Sequence, residues 1–426
     1  MKPTKLINKE RHTEKELWSH AEELIPRGTM TMSKCHDQFS DNAPFFADFA
    51  SGAYIRSLDG KSYLDYGCSL GPIILGYNHP RTNNAIERQL RKGVLFTLPT
   101  ILEQELAELV VEAVPCVEQV RFAKNGSDVT LAAVRIARAY TNREHIIKCG
   151  YHGWGDWHGI TIRPYGIPTC LKNIISEFEY NNLESLEKEL QSHEVAAVIM
   201  EAQALTPPKP GFLEGVRDLT HKYGALLIFD EVVTGFRWAL GGAQQHYGVI
   251  PDIATLGKAM GNGMPIAAIG GKKEYMQELN HCFFSMTFGG ECLSIAAAIE
   301  TIKELQEKDY GQLWRLGDKL SDGLKKSAEK YGLKINYNGS GPRHSLIFSD
   351  EYINANELKD LFAQEMMKRN ILWGNVVLIQ FSHTDHDIDM TINAADESFK
   401  IVAENQNKVD VVYKGNHSAT VFRKNT

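Results

Sequence analysis

Between about residues 118 and 300, short apolar runs alternate with amphipathic stretches. QVRFA, HIIKC, AAVIM, ALLIFD, IATLGK and AAIGG are separated by segments such as TLAAVRIARAYT and LEGVRDLTHKYG. Runs that are apolar throughout predict strands covered on both faces, and the helical spacing between them predicts crossover helices. The expectation is an α/β domain with a mostly parallel sheet. In such sheets ligands sit outside the carboxyl ends of the strands, so the residues just past each run are the ones to inspect.

The flanks read differently. TEKELWSHAEEL predicts a helix near the start, and GAYIRSLDGKSYLDY predicts a hairpin turning at Asp59-Gly60. From about residue 301 helices dominate. In HTDHDIDMTINAADESFKIV, Thr384 and Asp387 fit a capping box, followed by Ile388, Ile392, Ala395 and Phe399 at helical spacing. His383, His386 and the nearby aspartates lack an H-E-x-x-H geometry and read as solvated capping residues, so no metal is expected. The polar tail after about 404 reads as loosely attached.

A chain of 426 residues is long for one core, which predicts two domains or one large domain with a smaller partner. With 43% apolar and 23% charged residues the composition is that of an ordinary globular protein. A net charge of -7 argues against nucleic acid and leaves a small-molecule ligand as the expectation. Seven scattered cysteines without a C-x-x-C pair indicate neither a disulfide framework nor a zinc ribbon, and suggest a reducing compartment. The charged N-terminus lacks the apolar core of a signal peptide, and no run approaches the roughly 18 apolar residues that span a bilayer. A cytoplasmic protein with no membrane contact is expected.

Four run-ends carry candidate chemistry. Lys258 in TLGKAMGNGMP stands past an apolar run, against a glycine-rich turn, where a solvated lysine is the common reading. Asp230 follows five apolar residues in ALLIFD, where a buried carboxylate needs partners. Asn125-Gly126-Ser127-Asp128 opens a helix after QVRFA, an arrangement that binds phosphate as readily as it caps. Tyr151 follows HIIKC and is able to lie over a planar ring, while Thr287 precedes two glycines and a further helix. Nucleotide motifs fail: Gly257-Lys258 lacks the first glycine and the Ser or Thr of a Walker A loop, and Gly261-x-Gly263 lacks the third glycine of a dinucleotide fingerprint. Pyridoxal 5'-phosphate uses a lysine, an acid, a phosphate cradle and an aromatic face together.

These residues, with DEVVTGFRWALGGAQQHYGVIPDIATLGKAMGNGMP, YHG and GAYIRSLDGKSYLDYGCSLGPIILGYNHP, resemble the class III, fold type I pyridoxal-phosphate aminotransferases, and most closely their glutamate-1-semialdehyde 2,1-aminomutase branch. The resemblance spans roughly 380 residues. It implies a large domain with a mostly parallel sheet flanked by helices over 76–305, and a smaller α+β domain built from both termini, 1–75 (including a dimer arm) and 306–426. It implies Lys258 as the Schiff-base lysine and proton shuttle, Asp230 as partner of the pyridinium nitrogen, and Val232 and Tyr151 on the two ring faces. Gly126 and Ser127 match the phosphate loop, His152 and Glu201 line the cofactor site, and Thr287 matches a threonine reaching the neighbouring subunit's phosphate, which implies a homodimer. The implied activity moves an amino group between an amino donor and an aldehyde or ketone, with glutamate-1-semialdehyde 2,1-aminomutase proper as the alternative.

Departures from the branch bear on substrate. Lys34 stands where the branch has a carboxylate-gripping arginine, a point charge in place of a bidentate fork. WGDWHGITIRPYGIP is shorter than the aminomutases' gating loop and carries Trp154, Trp157 and His158. Lys34 and Trp154 are the candidate substrate contacts, and a shortened lid favours release of the intermediate.

Overall fold

The computed structural model describes residues 12–374 and 376–413. Two compact units divide between Leu70 and Gly71 and between Trp314 and Arg315, so residues 71–314 form one unit and the described residues on either side form the other.

In the 71–314 unit seven strands form one sheet: β1 (Gln119–Ala123), β2 (His145–Cys149), β3 (Ile175–Glu177), β4 (Val195–Met200), β5 (Leu226–Glu231), β6 (Ile253–Leu256) and β7 (Ala267–Gly271). Their spatial order is β1-β7-β6-β5-β4-β2-β3. Strands β3, β2, β4, β5 and β6 pair in parallel, whereas β7 pairs antiparallel with both β6 and β1. Alternation along the strands builds two cores. Ile146, Ala197, Ile199, Ile228 and Ile253 pack on one face with Val129, Ala133 and Ile136 of helix α1 (Gly126–Thr141). Ile147, Val198, Met200, Leu227 and Phe229 pack on the other with Leu186 and Leu190 of α2 (Leu183–Ser192) and with Phe212 and Val216 of α3 (Phe212–Lys222). Burying both faces explains why the strands read as unbroken apolar runs.

The other unit begins with a helix at Glu14–Leu24, capped by Thr13. The hairpin is present: Tyr54–Ser57 pairs antiparallel with Ser62–Asp65, and Gly60 takes a φ of +89° in the turn. Ile371–Leu372 adds to this sheet in parallel. Helices Ala355–Lys368 and Asp385–Glu404 pack against each other. Thr384 and Asp387 form the capping box, and Ile388, Ala395 and Phe399 are fully buried.

Two expectations for this unit need correction, and one needs an addition. Helices dominate after residue 301, but Ile335–Ser340, Arg343–Phe348 and Val377–Leu378 also form an antiparallel three-stranded sheet there. His383 is fully buried, not solvated: its Nδ1 accepts from the Gln380 amide at 3.2 Å and its ring stacks on Tyr66. The segment after 404 is anchored as far as it is described, since Val409 and Tyr413 are buried. Residues 1–11 of the N-terminal stretch judged not to be a signal peptide, and the end of the tail, lie outside the described residues. No described helix is long and apolar enough to cross a membrane, and no described group of three or more His, Cys, Asp or Glu is arranged to hold a metal ion.

Candidate active site

The carboxyl ends of the parallel strands converge on a cavity of about 330 Å³ within the 71–314 unit. Its wall includes Gly126 and Ser127 after β1, Tyr151 and His152 after β2, Glu201 after β4, Asp230 and Val232 at and past the end of β5, and Lys258 after β6.

The acid is held at both oxygens. Asp230 Oδ1 accepts from the Val232 amide at 3.1 Å and from Thr255 Oγ1 at 3.2 Å, and Oδ2 lies 2.8 Å from His152 Nδ1. The other ring nitrogen of His152, Nε2, lies 3.0 Å from the Cys149 carbonyl. Carbonyl and carboxylate oxygens only accept, so these two contacts fix the orientation of the buried ring against Asp230. The His152 amide donates in turn to His158 Nε2 at 3.2 Å. Burial, with His152 and Lys148 nearby, pushes His158 down to about 2, so its ring is neutral and able to accept there.

The lysine sits in a turn, not on a strand. β6 ends at Leu256, and Lys258 opens a 3-10 turn (Lys258–Gly261) with a φ of +40°, an uncommon conformation for a residue with a side chain. Asn262 pins this turn: its Oδ1 accepts from the Ile74 and Leu75 amides at 3.0 and 2.9 Å, and its Nδ2 donates to the Gly76 carbonyl at 3.1 Å.

The phosphate-loop candidate opens α1 with Asn125 as N-cap, and the Asn125 amide donates to Asp128 Oδ2 at 3.0 Å. First-turn amides have no helical acceptor and point out of the helix end, toward an anion when one is bound. Close packing favours glycine here, since a Cβ on Gly126 would lie 3.0 Å from Val232 Cγ1, tighter than most real Cβ contacts. Ser127 Oγ accepts from the Trp154 amide at 3.1 Å, leaving its hydroxyl hydrogen available to a ligand. Gly153 has a φ of +98°, and a Cβ there would lie 2.2 Å from Ser127 Oγ, so the chain passes this hydroxyl only as glycine.

The remaining expected residues differ in how they meet this wall. Tyr151 lines the cavity while 39% exposed, its ring edge-on to His158. Trp154 is 79% exposed and outside the lining residues, as is the exposed Thr287. Lys34 ends a 3-10 turn (Met32–Lys34) in the other unit. Lys124 and Thr130 were not picked out from sequence, and His158 was noted only as part of the shortened lid segment, not as the acceptor of the His152 amide. A residue directly before the phosphate loop was a findable signal for Lys124, but nothing local distinguishes Thr130, whose hydroxyl lies 2.9 Å from the His152 carbonyl.

The class-III aminotransferase family model matches residues 36–365. The chain belongs to the class-III aminotransferases. It is 36% identical over 426 residues to the glutamate-1-semialdehyde 2,1-aminomutase of Desulforamulus reducens, covering 91% of this chain and 98% of that one. It is equally 36% identical over 397 residues to the 3-aminobutyryl-CoA aminotransferase of Cloacimonas acidaminovorans, covering 90% and 95%. Among solved structures, the Sphingopyxis sp. MTA144 FumI protein in its PLP internal aldimine form superposes with a TM-score of 0.88 at 28% identity, covering 93% of this chain and 97% of that one. The fold is that of the fold type I enzymes, the activity is of the aminotransferase or aminomutase type, and the cofactor of this class-III enzyme is pyridoxal 5'-phosphate. The wall fits that group: an amine, a fixed carboxylate and a closely packed helix N-terminus share one cavity.

Proposed function

We propose that this chain transfers an amino group between an amino donor and an aldehyde or ketone, with Lys258 and Asp230 as its catalytic pair. The observation that carries this reading is a single cavity holding the Lys258 amine and a carboxylate fixed by three hydrogen bonds. When bound, the cofactor supplies an electron sink that stabilises the negative charge left on a substrate carbon after it loses a proton.

The residues then have distinct tasks. Asp230, held by His152, Val232 and Thr255, keeps the ring nitrogen protonated, and its partners save it from reorienting as charge develops. Lys258 would hold the cofactor through its amine and, as a free amine, would carry the proton that leaves the substrate carbon. Gly126 and Ser127 would hold the phosphate, Val232 and Tyr151 would pack against the ring, and Glu201 lines the site. Lys34 and Trp154 are the proposed substrate contacts.

The chain acts as a cytoplasmic homodimer, with Thr287 serving the partner's site. Exposed Phe283 and Phe288, in the same loop as Thr287, support this, because exposed rings there suit a second copy.

Borohydride reduction of the holoenzyme should add the cofactor's mass to the Lys258 peptide; its appearance on another lysine, or on none, overturns the assignment. The 36% identity to an aminomutase favours a second reading, intramolecular transfer in glutamate-1-semialdehyde. Turnover without any added donor supports that reading, whereas a stall after one half-reaction supports the transaminase.

A further inference from the structure

Among the titratable groups lining the cavity, Lys124 has no task in the reading above. It stands between β1 and the phosphate loop, and its ammonium lies 2.9 Å from Glu291 Oε2, with both side chains mostly buried. Glu291 is itself immobilised. It caps helix α4 (Cys292–Gln306), accepting from the Leu293 amide at 2.7 Å, the Ser294 amide at 3.2 Å and Ser294 Oγ at 2.6 Å. Burial raises its affinity for a proton, but the hydrogen bonds from Ser294, Lys124 and Leu293 outweigh that and hold its carboxyl below the ordinary glutamate value.

The pair closes one end of a loop. Residues 283–290 run exposed or half-buried up to Glu291 and carry Thr287. At the loop's other end, Arg135 of α1 donates through Nη1 to the Phe283 carbonyl at 3.0 Å. Both fastenings come from the strand-helix element that forms the phosphate loop: Lys124 directly before it and Arg135 within its helix. A charged hydrogen bond to a fixed carboxylate sets position as well as energy.

We infer that Lys124 is a positioning residue: through Glu291 it holds the 283–291 loop against the phosphate loop, and cofactor phosphate affinity depends on that tether. The inference rests on Gly126 and Ser127 holding the phosphate. A simpler role for Lys124, attracting phosphate by its charge alone, makes the opposite prediction for its partner. Removing the Glu291 charge would then leave binding unchanged or tighter.

The test uses apoenzyme of the full chain, titrated with pyridoxal 5'-phosphate, alongside hydrogen exchange of the 283–291 amides in the absence of cofactor. Lys124→Met keeps the aliphatic stem and leaves the Glu291 cap in place; Glu291→Gln keeps a capping oxygen. Each should weaken cofactor binding about tenfold, as loss of a partly exposed charged hydrogen bond implies, and speed exchange across the loop. Unchanged loop exchange in Lys124→Met overturns the tether, as does unchanged or tighter cofactor binding in Glu291→Gln. A wild-type chain that binds no cofactor overturns the phosphate-loop reading instead, while loop exchange still decides the tether.

Discussion

Asp230 and Glu231 end the same strand and carry the same charge, yet the two faces of the sheet give them opposite fates. Alternation places Asp230 on the face of Ile228, where His152 and Thr255 hold it at the cavity wall. Glu231 falls on the face of Phe229 and is fully buried in the scaffold. There it accepts from Thr234 Oγ1, from the Ala243 and Gln244 amides at 2.8 Å each, and from Gln244 Nε2 at 3.3 Å. Burial raises its carboxyl above the ordinary glutamate value, with those donors pulling the other way. One carboxylate is left facing a cavity; its neighbour is consumed in fastening the loop that follows.

The largest effect that tests this division is on rate. Asp230→Asn should lower kcat/KM by about 10³-fold, the size seen when a fixed group opposing developing charge is removed. If Glu231→Gln costs the same in rate, the division between chemical and scaffold faces fails.

Glu231→Gln should act on stability instead. Its amide would present hydrogens to N–H or O–H groups that now donate to an oxygen, costing about 2–3 kcal/mol of unfolding free energy in a denaturant titration. A loss under about 0.5 kcal/mol, the size of an ordinary surface change, would mean that the Glu231 contacts do not hold the loop.

The smallest effect is a slope in acid on the Asp230 side. His158 is lowered to about 2 in the fold by burial, then by His152 and Lys148, and in the unfolded chain it titrates near about 6.5. Between those values the unfolded chain binds a proton that the fold refuses, so stability falls as pH drops below about 6.5. This group adds up to about 1.4 kcal/mol per pH unit. His158→Gln should flatten that slope in melts taken from pH 7 to 5. His145 and His344, each lowered to about 4 mainly by burial, supply slope that remains. An identical slope in the variant would show that His158 does not stay neutral in the fold.

Much of this was legible from sequence, for local reasons. The parallel strands announce themselves because a strand buried on two faces has no polar alternation to hide it, and the hairpin and capping box are written in adjacent residues. Lys258, Asp230, Gly126 and Ser127 were findable because each stands just past such a run. The C-terminal three-stranded sheet was missed because INYNGS and RHSLIF carry too few apolar residues for strands, and their pairing is made by neighbours elsewhere in the chain. His383 looked solvated because its sequence neighbours are charged, whereas Tyr66, more than 300 residues earlier, covers it.

By itself the sequence determined which segments become most of the strands and helices, and hence that a lysine, an acid and a helix-opening glycine turn all end up at strand termini, because periodicity and capping act over a few residues. Only the tertiary structure decided which carboxylate of the Asp230–Glu231 pair meets the cavity, that His152 is the ring holding it, and that Lys124 answers to Glu291, 167 residues away. Those choices depend on which side chains the sheet brings within hydrogen-bond reach. Distance through space, unlike spacing along the chain, is not written in any local pattern.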